Sequence, residues 1–192
     1  MGYADHKAQA GHRAVACAVI TCSDTRVHDD DESGLLIRTL LEAHGHTHPF
    51  YAISKDDPEQ IRSLLAQLAT RADIQAIILN GGTGIARRDN TFDAVTACLA
   101  KTLPGFGELF RMLSYQTIGS GALLSRAVAG ILFAPSAAAP PVDGTACPVP
   151  LLPQEPRSIV VFSIPGSPNA VELAMSKLIL PELSHLVWET VR

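Results

Sequence analysis

The stretch IQAIILNGGTGIARRDNT, residues 74–91, decides the fold. Residues 74–79 are a short apolar run, typical of a strand covered on both faces, and they lead directly into the loop at 81–84, where three of four residues are glycine. Thr91 then starts a predicted helix that runs to Pro104-Gly105. A strand, a glycine loop and a helix in this order predict one unit of an α/β fold.

The same alternation continues towards the N-terminus. Residues 14–21 are a nearly continuous apolar run and predict a strand, and residues 47–53 predict another. Between them we expect a helix that Ser33 caps and Gly45 ends. The segment DPEQ, residues 57–60, offers an aspartate at the N-cap, a proline at N1 and a glutamine at N3, which predicts the start of another helix.

The C-terminal half is less regular. Residues 106–115 and 121–129 are predicted to be helical. Residues 134–156 hold seven of the 13 prolines and predict a long exposed loop inserted in the domain. A last strand at 159–164 is followed by Ser167-Pro168, which predicts the start of a helix.

Strands that alternate with helices predict an α/β fold with a mainly parallel sheet and right-handed crossovers. We expect residues 13–192 to form one domain and residues 1–12 a flexible tail. In such sheets ligands bind beyond the carboxyl ends of the strands. The loops at Ser23-Asp24, Asp56 and 165–168 also follow predicted strands, so we expect them to face the same side as the glycine loop.

The composition excludes several classes of protein. The formal charge is -4 with scattered Lys and Arg, so we expect neither a nucleic acid nor a membrane as partner. The four cysteines show no zinc spacing and indicate reduced packing residues. The sequence shows no secretory signal and no apolar run long enough to span a bilayer, which predicts a cytoplasmic protein.

The glycine loop and two aspartates carry the chemistry. Glycines allow positive φ and a close approach of backbone N–H groups to a phosphate, although such loops also occur as plain turns. Asp89 lies between the loop and Thr91, where it could instead be only a helix-start residue. Asp56 follows another strand, so two carboxylates would face one anion-binding cleft. Carboxylates beside phosphates favour Mg²⁺-assisted phosphoryl or nucleotidyl transfer.

Two other groups of polar residues are weaker candidates. His44, His46 and His48 alternate as in a metal site, but ordinary surface placement is the favoured interpretation. The acidic run at 29–32 could bind a divalent cation, but acidic residues are expected before a helix because of its dipole. Ser33 and Gly34 are candidates for lining the cleft.

Six short motifs resemble the MoaB/MogA molybdenum cofactor biosynthesis family, closest to its B-type branch, and they occur in the order found in that family. The resemblance covers about residues 13–187. It lies in SDTR (23–26), DESG (31–34), GGTGIARRDNT (81–91), PGFGELFR (104–111), LSRAVAG (124–130) and PGSP (165–168).

The resemblance implies a molybdopterin-binding α/β fold with three layers, α/β/α, around a doubly wound, mainly parallel sheet. It also implies a homotrimer or homohexamer, with other proteins of the pathway as further partners. In catalytic members it implies adenylylation of molybdopterin by ATP with Mg²⁺. Asp56, in SKDDPEQI, and Asp89 match the two functional aspartates of the family, as catalytic residues and as ligands of Mg²⁺. The resemblance further assigns ligand binding to Ser23, Asp24, Ser33, Gly34, Gly81, Gly82, Thr83, Gly84, Ser125, Pro165, Gly166 and Ser167.

The same resemblance leaves two functions open. Some B-type members bind without adenylating, so the alternative is a non-catalytic molybdopterin-binding or carrier protein of the pathway. The proline-rich segment 134–156 also replaces a connection that is usually a few residues long in the family.

Overall fold

The computed structural model describes residues 13–134 and 157–191, together with Gly2, Lys7 and Gly11. Most of the predicted tail and nearly all of the predicted loop at 134–156 therefore lie outside the described residues. The elements are β1 Ala16–Cys22, α1 Glu32–Ala43, β2 Thr47–Ser54, α2 Pro58–Thr70, β3 Ala76–Asn80, α3 Thr91–Cys98, β4 Lys101–Thr102, α4 Pro104–Ile118, β5 Val128–Phe133, β6 Ser158–Ile164, α5 Pro168–Ala174 and α6 Leu183–Thr190. None of the helices in these ranges is long and apolar enough to cross a membrane.

The sheet has six strands in the order β2-β1-β3-β6-β5-β4. The first four strands in this order are parallel, whereas β5 and β4 run antiparallel to their neighbours. The chain winds outward from β1 to β2 and then returns to place β3 on the other side of β1. Strand order thus reverses between β1 and β3, where an open α/β sheet forms a crevice.

Helices cover both faces of the sheet, which confirms the three-layer prediction. On one face α1, α4, α5 and α6 contribute buried side chains such as Ile37, Phe110 and Val171. On the other face α2 and α3 contribute Leu65 and Val95. Strands covered on both faces have to be apolar throughout, and β3 is buried at all five residues.

Helix starts are only partly as expected. The Asp57 side chain accepts a hydrogen bond from the N–H of Gln60 and caps α2, as predicted. The prediction of Ser33 as the cap of α1 is wrong. Asp31 occupies the N-cap and accepts from the N–H of Gly34, because a carboxylate placed three residues before that group can reach it and Ser33 is already inside the helix.

The helix predicted at 121–129 is also wrong. Residues Gly119–Leu124 form a 3-10 helix, and Val128–Phe133 form strand β5. The helix from Thr91 likewise ends at Cys98, before the two-residue strand β4. Both errors lie where antiparallel pairing of β5 with β6 and β4 supplies hydrogen bonds that a local pattern does not reveal.

Candidate functional site

Three loops at the carboxyl ends of β1, β3 and β6 meet with the segment after α4. They enclose a cavity of about 320 Å³, called here the central cavity, beside the point where strand order reverses. Its wall consists of Thr21, Cys22, Ser23, Arg26, Asn80, Gly81, Gly82, Thr83, Gly84, Asp89, Leu124, Ser125, Pro165 and Gly166.

The glycines let these loops approach one another. Gly81 and Gly82 have φ of 102° and 58°. A Cβ on Gly81 would lie 2.2 Å from the carbonyl oxygen of Cys22, and one on Gly166 would lie 2.9 Å from the Cα of Gly81. Within the described ranges, the N–H groups of Gly82, Thr83 and Gly84 have no acceptor. The loop is therefore a packed turn that still presents free donors.

A second, smaller cavity of about 180 Å³, the carboxylate cavity, adjoins the first. Asp24, Asp56 and Asp89 border it together with Arg88. It shares four residues with the central cavity: Cys22, Ser23, Gly82 and Asp89. A Cβ on Gly82 would lie 2.3 Å from Oδ2 of Asp56. The fold thus brings Asp56 and Asp89 from separate loops to one cavity beside the glycine loop.

Asp56 caps a helix that is distant in sequence. Its Oδ1 accepts hydrogen bonds from the N–H of Asn90 at 3.1 Å and from Oγ1 of Thr91 at 2.9 Å. Burial raises the pKa of Asp56, the hydrogen bonds from Thr91 and Asn90 oppose this rise, and the negative charge of Asp89 adds to it. A cation or a proton near Asp56 is therefore favoured.

Asp89 closes a turn and does not cap the helix. Its Oδ2 accepts from the N–H of Ala86 at 2.8 Å, and a Cβ on Gly84 would lie 2.4 Å from that oxygen. Asn90 occupies the N-cap of α3 without a side-chain hydrogen bond. The alternative role as a helix-start residue thus belongs to Asp56 and not to Asp89.

Arg126 holds the glycine loop from its carbonyl side. Its guanidinium donates to the carbonyl oxygens of Thr83 at 3.2 Å, Gly84 at 2.5 Å and Asp89 at 3.0 Å. It also pairs with the carboxylate of Asp93 at 2.9 Å. Sequence reasoning missed this residue, whose only signal was its place in the LSRAVAG motif.

A buried carboxylate lies behind the central cavity. The Asp31 side chain is 0% exposed and accepts from Oγ1 of Thr21, the hydroxyl of Tyr51 at 2.6 Å and the N–H of Gly34 at 3.0 Å. Arg26, which lines the cavity, donates to it through Nη1 at 3.2 Å. Sequence reasoning missed Arg26 and Tyr51, although SDTR and DESG contain two partners of this network.

The hydrogen bonds decide the protonation of this network. Burial alone would raise the pKa of Asp31, but the bonds from Thr21, Tyr51, Gly34 and Arg26 outweigh it and lower the pKa. Burial and the bond to Asp31 raise the pKa of Tyr51 to about 12. Asp31 is thus held as a carboxylate.

Two predicted ligand residues lie behind the wall of the cavity. Ser33 and Gly34 are buried and line neither cavity. The Ser33 hydroxyl donates to the carbonyl oxygen of Gly166 at 2.8 Å. A Cβ on Gly34 would lie 2.1 Å from Oδ2 of Asp31, so glycine is required there by the helix cap.

Ser125 and Pro165 connect the central cavity to a third space. They also border a groove of about 460 Å³ between α4 and α5, which includes Ser167. The Ser167 side chain accepts from the N–H of Ala170 and caps α5. Ser167 lines this groove and not the central cavity, so a ligand that it contacts would lie in the groove.

The histidines and the acidic run are explained by structure. His46 is buried, and its Nδ1 accepts from the N–H of Val15 at 3.1 Å, so the expectation of surface placement is wrong for this residue. Asp31 is the residue of the acidic run that caps a helix, as expected. No group of three or more metal-binding side chains occurs within the described ranges.

Comparison with known proteins identifies the family. Residues 18–185 match the family model described as a probable molybdopterin binding domain. The chain is 47% identical over its full length to molybdenum cofactor biosynthesis protein B of Halalkalibacterium halodurans, covering 99% of that relative. The chain belongs to the MoaB/MogA molybdenum cofactor biosynthesis family. It is also 44% identical to protein B of Bacillus subtilis, over 98% of this chain and 97% of that relative.

Solved structures of the MoaB/MogA family agree. A crystal structure of molybdenum cofactor biosynthesis protein B matches with a TM-score of 0.80 and 43% identity over 95% of this chain and 99% of that chain. The tungsten cofactor synthesizing protein MoaB of Pyrococcus furiosus matches with a TM-score of 0.75 and 31% identity, over 94% and 99% of the two chains. Membership of the family, the fold and the B-type resemblance are thus confirmed.

Proposed function

We propose that the chain binds the phosphate of molybdopterin in the central cavity and adenylylates it with Mg-ATP. One observation carries the proposal. The donors of the glycine loop and the carboxylates of Asp56 and Asp89 meet at two cavities that share Gly82 and Asp89. An anion site that opens onto paired carboxylates suits transfer between two phosphate-bearing substrates, in which Mg²⁺ would supply charge neutralisation.

The residues have separate roles in this reaction. The N–H groups of Gly82, Thr83 and Gly84 donate to a phosphate, and Asp56 and Asp89 orient the nucleotide. An oxygen of the molybdopterin phosphate attacks the α-phosphorus of ATP. A phosphorus–oxygen bond forms there, the bond from the α-phosphorus to the bridging oxygen of the β-phosphate breaks, and pyrophosphate leaves. Catalysis of this kind is positioning and charge stabilisation.

Asp56 and Asp89 fit Mg²⁺. This ion is usually bound by one or two carboxylates together with substrate phosphates, and it supplies neutralisation of phosphate charge. The negative charge of Asp89 contributes to the raised pKa of Asp56, so a cation at this place would relieve a repulsion that the fold builds in. Asp56 and Asp89 are therefore the residues that would hold it.

A non-catalytic molybdopterin-binding protein is the second candidate. Oδ1 of Asp56 is already engaged by Asn90 and Thr91 at the start of α3, so this carboxylate has a structural role that does not require catalysis. In that case the protein binds molybdopterin and no adenylylated product forms.

The test combines calorimetry with mass analysis of the product. Purified protein is titrated with molybdopterin and with Mg-ATP, and turnover is followed as adenylylated pterin. Asp89→Asn and Asp56→Asn should each lower the rate by about 100-fold or more while the protein stays folded. Asp73→Asn, an exposed carboxylate that pairs with Arg71 away from both cavities, is the matched control. Binding of molybdopterin without product would reject the enzyme and support the second candidate.

We further propose that the chain forms a homotrimer or homohexamer. The side chains of Leu109, Met112, Tyr115 and Ile118 recur every three residues on α4, and all are exposed. Each step of three residues turns about 60° around a helix, so these side chains spread over the exposed half of α4. Such an exposed apolar surface marks an interaction surface. Light scattering should give a trimer or hexamer for the wild type and smaller species for Met112→Glu; a monomeric wild type would reject the assembly.

A further inference from the structure

We infer that Arg26 is the cationic contact for the anionic group bound in the central cavity and that Asp31 is its positioning residue. The inference rests on the proposed function in one respect, since it takes the ligand of this cavity to bear a phosphate. Among the described residues of the cavity wall, Arg26 is the only cation and Asp89 the only anion. An anionic ligand in this cavity would therefore be attracted towards Arg26 and away from Asp89.

The other arginines near the site do not supply this charge to the cavity. Arg126 borders neither cavity, and its Nε, Nη1 and Nη2 atoms all donate to the glycine loop or to Asp93. Arg88 borders the carboxylate cavity, where Asp24, Asp56 and Asp89 outnumber it. These contacts leave Arg26 as the guanidinium that faces the central cavity.

Arg26 keeps donors for a ligand. Its Nη1 donates to Asp31, and its Nη2 makes a long hydrogen bond of 3.4 Å to the carbonyl oxygen of Gly166. Its Nε has no acceptor in the described part of the chain, and 31% of the side chain is exposed. Because a guanidinium carries five N–H donors in a planar fork, the remaining donors are available for bidentate contact with a phosphate.

Asp31 fixes the direction of that fork. Its carboxylate is anchored by Thr21 in β1, by Tyr51 in β2 and by the N–H of Gly34 in α1. Three elements of the fold thus hold an acceptor that has no freedom to follow the arginine. Because Nη1 is held by this acceptor, Nε and the weakly bonded Nη2 are the nitrogens that remain for a ligand.

The first experiment measures binding of inorganic pyrophosphate without Mg²⁺, by calorimetry at two salt concentrations. We expect Arg26→Gln to weaken binding about 10-fold or more, as for loss of a charge-assisted hydrogen bond, and to reduce the salt dependence of the affinity. Arg26→Lys keeps the charge and should keep the salt dependence. Arg62→Gln is the matched control, because Arg62 pairs with Glu59 on α2 and lines neither cavity.

Three results would overturn the role of Arg26. They are a wild type that binds no pyrophosphate at millimolar concentration, an Arg26→Gln variant with unchanged affinity, and a loss of salt dependence in Arg26→Lys as complete as in Arg26→Gln. Each variant is compared well below its melting temperature, so that only folded protein is measured.

The positioning role of Asp31 has its own readout. Asp31→Asn should weaken pyrophosphate binding several-fold while the salt dependence persists, because the charge of Arg26 remains. Should Asp31→Asn not fold, Tyr51→Phe removes one anchor of the carboxylate and should weaken binding in the same direction. Variants that lower the melting temperature without changing the affinity of the folded protein would show that Asp31 acts on stability alone.

The inference and the proposed function fail separately. Pyrophosphate binding that depends on Arg26, together with no adenylylated product, would reject the enzyme and keep the role of Arg26. Product formation with an unchanged KM for Mg-ATP and for molybdopterin in Arg26→Gln would reject the role of Arg26 and keep the enzyme.

Discussion

Asp31 and Asp56 are two helix-capping carboxylates at the same edge of the sheet, but their surroundings shift their pKa values in opposite directions. Asp31 directly precedes α1 and caps it, its side chain is fully buried, and it accepts hydrogen bonds from four groups. Asp56 caps α3 from a distant loop, borders an open cavity and lies near the charge of Asp89. Hydrogen bonds lower the pKa of Asp31, whereas burial and Asp89 raise the pKa of Asp56.

The comparison distinguishes a carboxylate that anchors the fold from one that can still bind a cation or a proton. A buried charge that is satisfied by donors on every side holds elements together, but it has no capacity left for a ligand. A carboxylate with too few donors and a like charge nearby gains when a cation or a proton arrives. The same residue type thus anchors the fold at Asp31 and keeps capacity for a cation or a proton at Asp56.

The largest expected difference in stability between the two sites comes from neutralising each carboxylate in turn. Asp31→Asn should lower the free energy of unfolding by about 3 kcal/mol, because it leaves Arg26 and the donors of Thr21 and Tyr51 around a neutral amide. Asp56→Asn should change it by less than about 1 kcal/mol, since asparagine also caps helices. Urea unfolding at neutral pH measures both; equal losses would remove the distinction between the two residues.

A glycine lies against each carboxylate and allows a second test. Gly34→Ala should cost about 3 kcal/mol, because its Cβ would meet Oδ2 of Asp31 at 2.1 Å in a closed network. Gly82→Ala should cost about 1 to 2 kcal/mol, for its positive φ and for a shift of the two side chains that its Cβ would meet, Thr91 with Oγ1 at 2.2 Å and Asp56 with Oδ2 at 2.3 Å. The cost stays moderate because the side chain of Asp56 can move into the adjoining cavity. Thermal and urea unfolding compare the two variants; a greater loss for Gly82→Ala would contradict the view of Asp56 as the less constrained carboxylate.

Single hydrogen bonds give a smaller effect. Tyr51→Phe removes a donor to Asp31 and should cost about 2 kcal/mol, as expected for a bond to a charged group. Thr91→Val removes a donor to Asp56 and should cost about 1 kcal/mol or less, because water in the cavity can replace it. Thr91→Val should also raise the pKa of Asp56 further, which titration by NMR would detect; a fall in that pKa would contradict the assignment.

The smallest effect is expected from pH. The pKa of Asp56 is raised in the folded state above the ordinary aspartate value of 3.8, so the folded state binds this proton more tightly. Asp56 therefore adds stability as the pH falls through its folded pKa towards 3.8. Asp31 has a lowered folded pKa, and its contribution is lost only as pH falls below 3.8 through that folded pKa. As the pH is lowered from neutral towards 3.8, the free energy of unfolding of the wild type should therefore rise relative to that of Asp56→Asn. Parallel curves would show that Asp56 has no raised pKa.

The sequence predicts the parallel half of the molecule well because its signals are local. Apolar runs that end in SDTR and GGTG mark β1 and β3, and the rule for open α/β sheets brings Asp56 towards Asp89. The network around Asp31 was not predictable, since Tyr51 approaches from another strand and nothing near it in sequence marks a buried hydroxyl. The antiparallel strand Val128–Phe133 was missed for the same reason, because its partner at Ser158–Ile164 lies far along the chain.

The grip of Arg126 on the glycine loop has an electrostatic consequence. In a trans peptide unit the C=O and N–H point in opposite directions, so turning the carbonyls of Thr83 and Gly84 towards one guanidinium turns the N–H groups of Gly84 and Ile85 away from it. The dipoles of the loop are thus aligned before any ligand arrives. An anion that binds there meets a preorganised positive potential and does not have to reorient the backbone.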